Sequence, residues 1–158
     1  MRAGSPTSAR GTGNTSSPGS GNVADILLDT GAWVAIIDQD ERAHHRCLDA
    51  FRELAGRLVS TEAVLSETLW FMQNHKGGAR ACAEFVRRGA VALLPISVES
   101  LSRAVDLMEK YRNVPMDFAD ATLVTLGEDL GLDRVFTLDH RGFGVYRLHG
   151  RRPFHIIP

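Results

Sequence analysis

Cysteine is nearly missing from this chain of 158 residues: there are two, Cys47 and Cys82. Each stands alone inside a helical pattern, and neither takes part in a metal-ligand spacing. They read as small buried hydrophobes of a protein kept in a reducing cytosol. No apolar run approaches the ~20 residues a membrane span needs, so a membrane protein is excluded and a cytoplasmic one expected. A surplus of positive charge is also lacking, since the formal net charge is −1. That excludes a module that coats nucleic acid by charge alone, which would be strongly basic. It leaves room for an enzyme whose site is itself acidic. No G-x-G-x-x-G or G-K-[ST] segment occurs, so the chain has no glycine-rich phosphate cradle.

What is present divides unevenly. Residues 1–22 are Gly, Ser, Thr, Pro, Ala and Asn with Arg2 and Arg10, too polar to offset the entropy of ordering, and they read as a disordered leader. Without an apolar central run it is not a secretory signal. Residues 23–158 then suit one domain with a modest core.

Asp25 to Asp29 reads as a buried strand, Thr30-Gly31 as a turn, and Ala32 to Ile37 as a short helix. His44 to Leu58 has helical spacing, with Leu48, Phe51, Leu54 and Ala55 on one face. Ser60 or Thr61 caps a helix running to about Asn74, with Glu62 in its first turn. Ala79 to Arg88 is a further helix, and Ala90 to Leu94 a second buried strand stopped by Pro95. Ser97 caps a helix to Tyr111. Asp117 to Leu130 is helical and stops at Gly131. Arg134 to Asp139 is a third strand, Gly142-Phe143-Gly144 a loop, and Phe154 to Ile157 an edge strand. Strands alternating with helices predict an α/β fold, a mostly parallel central sheet with helices on both faces.

Sites in such sheets form beyond the carboxyl ends of the strands. Asp29 and Asp139 end two of the three buried strands there. Glu67 has Val64, Trp70 and Phe71 as helical neighbours, an apolar setting in which an unpaired carboxylate is costly. Asp117 and Asp120 share one face at a helix start. Asp117 suits an N-cap, while Asp120 lies among Ala119, Ala121, Leu123 and Val124, close to the core side. Should these acids converge, two carboxylates ~4 Å apart repel by about 4 kcal/mol at an effective dielectric near 20. Protons or a divalent cation must relieve that. An all-oxygen set favours a hard ion, Mg²⁺ or Mn²⁺, which takes a substrate phosphate as a further ligand and activates water. The pattern therefore predicts phosphodiester hydrolysis, with Asp29, Glu67, Asp120 and Asp139 as catalytic and metal-holding residues and Asp117 as an outer ligand. Thr30 and Thr137 adjoin the strand-end acids and are placed to orient a carboxylate. Arg141 and Arg147 are candidate contacts to the phosphate backbone of such a substrate, as are Arg151 and Arg152.

With these residues in place the chain resembles the PIN-domain family, in its VapC-type toxin ribonuclease branch. The resemblance spans about Ile26 to Phe143. It rests on Ile26-Leu27-Leu28-Asp29-Thr30, Val64-Leu65-Ser66-Glu67, Asp117-Phe118-Ala119-Asp120-Ala121 and Thr137-Leu138-Asp139-His140-Arg141-Gly142-Phe143. It implies a PIN-like three-layer sandwich, a Mg²⁺- or Mn²⁺-dependent endoribonuclease, homodimers, and a small antitoxin partner that blocks the site. One departure is Gly31, where the family often has Ser or Asn. The alternatives are a housekeeping RNA-processing nuclease and a non-catalytic PIN-like domain that binds RNA or protein. Asp29-Thr30-Gly31 as an aspartic-protease signature requires an all-β fold, against which the helical patterns argue. A phosphotransferase nucleophile of the haloacid-dehalogenase kind usually wants a second Asp where Gly31 stands.

Overall fold

A computed structural model describes residues 24–158. The leader expected over residues 1–22 lies outside the described residues. The core is a parallel sheet of five short strands: β1 (Ile26–Leu28), β2 (Leu58–Ser60), β3 (Val91–Leu93), β4 (Arg134–Phe136) and β7 (His155–Ile157). Their order across the sheet is β3-β2-β1-β4-β7, and every neighbouring pair is parallel. Strands β5 (Arg147–Leu148) and β6 (Arg152–Pro153) form a separate antiparallel ribbon. The helices between them are α1 (Thr30–Ile37), α2 (His44–Glu53), α3 (Glu62–Met72), α4 (Gly78–Arg87), α5 (Val98–Lys110), α6 (Phe118–Leu130) and α7 (His140–Val145). The expected α/β three-layer sandwich is thus the fold. The expected edge strand also forms, as β7 beside β4. No described helix is long and apolar enough to cross a membrane.

The chain runs from β1 to β2 and β3 on one side, then crosses to β4 on the other. This places the topological switch between β1 and β4, where open parallel sheets carry their sites. β1 is buried along its whole length, which its unbroken apolar run requires of a strand covered on both faces. Trp33, Phe136, Phe143 and Tyr146 are fully buried around it.

Three expectations from the sequence need correction. The helix over 44–58 ends at Glu53, and Leu58 opens β2 instead. Gly56 makes the break with φ of +143°, and a Cβ there would lie 2.6 Å from the Ala24 carbonyl, so only glycine fits. Thr30-Gly31 is no turn. The Asp29 side chain accepts a hydrogen bond from the Thr30 N–H, and α1 begins at once. Gly142-Phe143-Gly144 is no loop either; it lies within α7, whose N-cap is Asp139.

Candidate active site

Four of the five acids are delivered at or beside the end of an element. Asp29 follows β1 as the N-cap of α1, with extended backbone. Its amide continues the ladder by donating to the Phe136 carbonyl of β4 at 3.0 Å. Asp139 follows β4 as the N-cap of α7 and accepts from the Gly142 N–H at 2.9 Å. Asp117 is the N-cap of α6 and accepts from the Asp120 N–H at 2.9 Å. Asp120 lies in the first turn of that helix. Glu67 projects from the middle of α3.

Threonines join these pieces. The Thr137 hydroxyl donates to Asp29 Oδ2 at 2.6 Å and accepts from the Asp139 N–H at 2.8 Å. One side chain therefore sets the spacing between the two strand-end acids. The Thr30 hydroxyl donates to Glu67 Oε2 at 2.5 Å, tying α1 to α3. Thr30 and Thr137 thus both orient a carboxylate. A third supporting group has no counterpart in the sequence reading. The phenol of Tyr146, fully buried, lies 3.3 Å from Asp120 Oδ2 and 3.2 Å from the Pro115 carbonyl. The only hint in the sequence is that a buried tyrosine hydroxyl must find a partner.

The electrostatics show that the acids share one region. Burial pushes the Asp29 carboxyl up to about 6; the Glu67 and Asp117 charges add to the rise, while hydrogen bonds from Thr137 and Thr30 oppose it. Burial also raises Glu67, with Asp117 contributing through charge and hydrogen bonding. Asp120 rises furthest, to about 8, from burial and then from the charges of Asp29, Asp117 and Asp139. Burial and the Asp120 and Asp139 charges in turn push the Tyr146 phenol up. Each of the five acids named from the sequence thus feels or exerts charge on at least one other, and three of them are driven towards protonation.

Among the described residues, no three His, Cys, Asp or Glu side chains are grouped so as to hold a metal ion as they stand. The hydrogen bonds account for this: both Asp29 oxygens face donors, and Glu67 is turned onto Thr30. A hard ion that keeps several of its waters needs no closed cage. Five carboxyls without a neighbouring cationic side chain in their hydrogen bonds have the chemistry such an ion takes.

The arginines stand apart from this cluster. Arg141 is exposed on α7. Arg147 Nη1 donates to the carbonyls of Gly144 and Tyr146, at 2.9 and 2.8 Å, which fastens it to its own loop. Arg152 lies 3.9 Å from Asp133.

The PIN domain family matches residues 26–147, a span that contains every acid of the cluster. The chain belongs to the PIN domain family. Solved structures carry the same fold at low identity. The Mycobacterium tuberculosis toxin VapC20, described as cleaving the sarcin-ricin loop, superposes with a TM-score of 0.67 at 21% identity, covering 81% of this chain and 99% of that one. VapBC2 of Rickettsia felis, bound to a promoter DNA fragment, gives 0.60 at 10% identity, covering 85% and 99%. A toxin–antitoxin complex from Klebsiella pneumoniae gives 0.57 at 16% identity, covering 76% and 91%. No curated protein sequence matches the chain significantly. At these identities the neighbours establish the PIN fold and nothing finer.

Proposed function

We propose that this PIN domain is a Mg²⁺- or Mn²⁺-dependent endoribonuclease of the VapC type, the toxin of a type II toxin–antitoxin pair. One observation carries the reading. Carboxyls from the ends of β1 and β4, from α3 and from the first turn of α6 crowd together until burial and mutual repulsion hold Asp120 near 8 and Asp29 near 6. Such crowding is unfavourable for a fold and useful for holding a doubly charged ion.

When bound, the ion supplies positive charge for a scissile phosphate and lowers the pKa of water. The chain's own residues prepare its place. Thr137 fixes Asp29 and Asp139 at one spacing, and Thr30 holds Glu67 towards Asp29. The Tyr146 hydroxyl, 3.3 Å from Asp120 Oδ2, positions that carboxyl, which with its neighbours would hold the ion. A cognate antitoxin that covers the acids, and a homodimer, are part of this proposal. Two of the structural neighbours are toxin–antitoxin assemblies, which supports the antitoxin.

The test is cleavage of a mixed-sequence single-stranded RNA with Mg²⁺, with Mn²⁺ and with EDTA, by wild type and Asp29→Asn. Cleavage is expected with either metal. EDTA should abolish it, and Asp29→Asn should lower it at least ~100-fold, a loss typical of removing a charged group that acts in the transition state. Cleavage that survives EDTA would overturn the metal dependence, and no cleavage with any RNA would leave a binding domain as the better reading.

A further inference from the structure

Two aromatic side chains stand unusually far out of the surface beside the acids. Trp70 of α3 is 63% exposed and Phe118, at the start of α6, is 39% exposed. Both line a groove of about 540 Å³ whose walls also carry Glu67 and Asp117, with the small side chains Ala63 and Ala119 leaving it open. Trp70 lies one helical turn from Glu67, and Phe118 directly follows Asp117, so each wall of the trough pairs an aromatic with an acidic group. The edge of the neighbouring Phe71 ring supports the Trp70 indole, at 5.0 Å between centroids and 80° between planes.

From this arrangement we infer that the trough between Trp70 and Phe118 is a stacking subsite for an unpaired nucleobase next to the scissile phosphate of single-stranded RNA. The inference rests on the nuclease reading above and adds a substrate contact to it. The chemistry selects the occupant. Every base has a π-face that stacks on an indole, whatever its sequence. A base is neutral, so it lies against Trp70 without requiring a charged partner from the wall. An apolar protein segment in the same trough would desolvate Glu67 and Asp117 and leave them unpaired, which is costly. Base paired in a duplex has no free face, so the trough selects single strands or loops. The phosphate attached to a base seated here lies beside the acid cluster, where a bound Mg²⁺ would offset its repulsion from the carboxylates.

The protein carries its own reporter. It has two tryptophans, and Trp33 is fully buried, so fluorescence that responds to ligand at the surface comes from Trp70. The experiment titrates the inactivated Asp29→Asn protein, with Mg²⁺, with a fluorescein-labelled mixed-sequence single-stranded RNA. It follows anisotropy, and in parallel the tryptophan emission with unlabelled RNA. Saturable quenching with the same midpoint as anisotropy is expected. Adding Trp70→Ala should weaken binding by about 5- to 100-fold, whereas Trp70→Phe should retain most of it. Leu130→Ala, which removes an exposed apolar side chain at the far end of α6, should change nothing. RNA that binds by anisotropy without quenching, and equally well to the Trp70→Ala protein, overturns the subsite and leaves the nuclease reading standing. A Trp70→Ala change that loosens a co-purifying protein but not RNA also overturns it. If wild type cleaves no RNA and the inactive protein binds none, both readings fall together.

Discussion

At the scale of single residues, the tightest constraint on the acid cluster comes from a residue without a side chain. Gly142 sits in the first turn of α7, where its N–H caps Asp139. A Cβ built there would fall 2.1 Å from Asp139 Oδ2 and 2.8 Å from the Tyr146 hydroxyl. Neither neighbour can retreat without losing something. Asp139 would give up its hydrogen bond to Gly142, and Tyr146 is wedged edge-on between Phe143 and Tyr111, at 5.3 and 5.1 Å. Gly142→Ala is therefore expected to destabilise the domain by about 1–3 kcal/mol, as overpacking does, and to lower metal-dependent cleavage at least ~10-fold. Gly144, two residues on in the same helix, has nothing within 4 Å of such a Cβ. Gly144→Ala should match wild type in both urea denaturation and cleavage. Equal behaviour of the two variants would show that the close packing around Asp139 does not hold.

Among the elements, α3 matters most, because it carries both Glu67 and Trp70 and begins on a buried threonine pair. Thr122 donates to the Ala119 carbonyl at 2.8 Å. The 2.7 Å contact between the Thr61 and Thr122 hydroxyls is therefore donated by Thr61. Thr61 in turn accepts from the Val64 N–H at 3.3 Å as the N-cap of α3. One hydroxyl thus caps α3 and fastens it to α6, the helix of Asp117 and Asp120. Thr61→Val keeps the shape and removes both bonds. It should lower stability by about 1–2 kcal/mol, read as a lower urea midpoint at unchanged slope; an unchanged midpoint would mean the pair carries no weight. The cap itself was legible in the sequence, since Ser60 or Thr61 followed by Glu62 marks a helix start. So were the long periodic helices and the apolar strands β1 and β4, although β4 stops at Phe136, short of Asp139. β2 was not. Leu58-Val59-Ser60 is too short for a period-2 signal, and Leu58 extended the apolar spacing of the preceding helix, so only the sheet distinguishes the two. Tyr146, Phe118 and Trp70 escaped notice as a set for a related reason. Trp70 and Phe118 meet across α3 and α6, Tyr146 reaches Asp120 from the segment after α7, and no local pattern joins them.

At the scale of the whole molecule, the chain gathers its acids from positions 29, 67, 117, 120 and 139 at one switch point, and stability should register the gathering. Asp29 and Asp120 have folded-state values of about 6 and 8, above the ordinary 3.8, and Glu67 is raised as well. Their neutral forms favour the folded state. The stability associated with them is complete below pH ~4 and is lost as pH rises through the folded values. With EDTA present, the melting temperature should therefore fall from pH 5.5 to pH 8.5. Mg²⁺ replaces the protons as the source of relief. Its binding stabilises the folded state by RT ln(1 + [L]/Kd), about 2.7 kcal/mol at 100-fold excess over Kd. Fewer protons stand to be displaced at high pH, so the metal-induced rise in melting temperature should be larger at pH 8.5 than at pH 5.5. Asp120→Asn removes the most strongly raised carboxyl. It should flatten the EDTA profile, melt higher than wild type at pH 8.5 without metal by on the order of 5 °C, and respond less to Mg²⁺. A metal-free melting temperature that climbs across this window, in wild type and Asp120→Asn alike, would mean that the carboxyls do not strain one another and that nothing in the cluster calls for a cation.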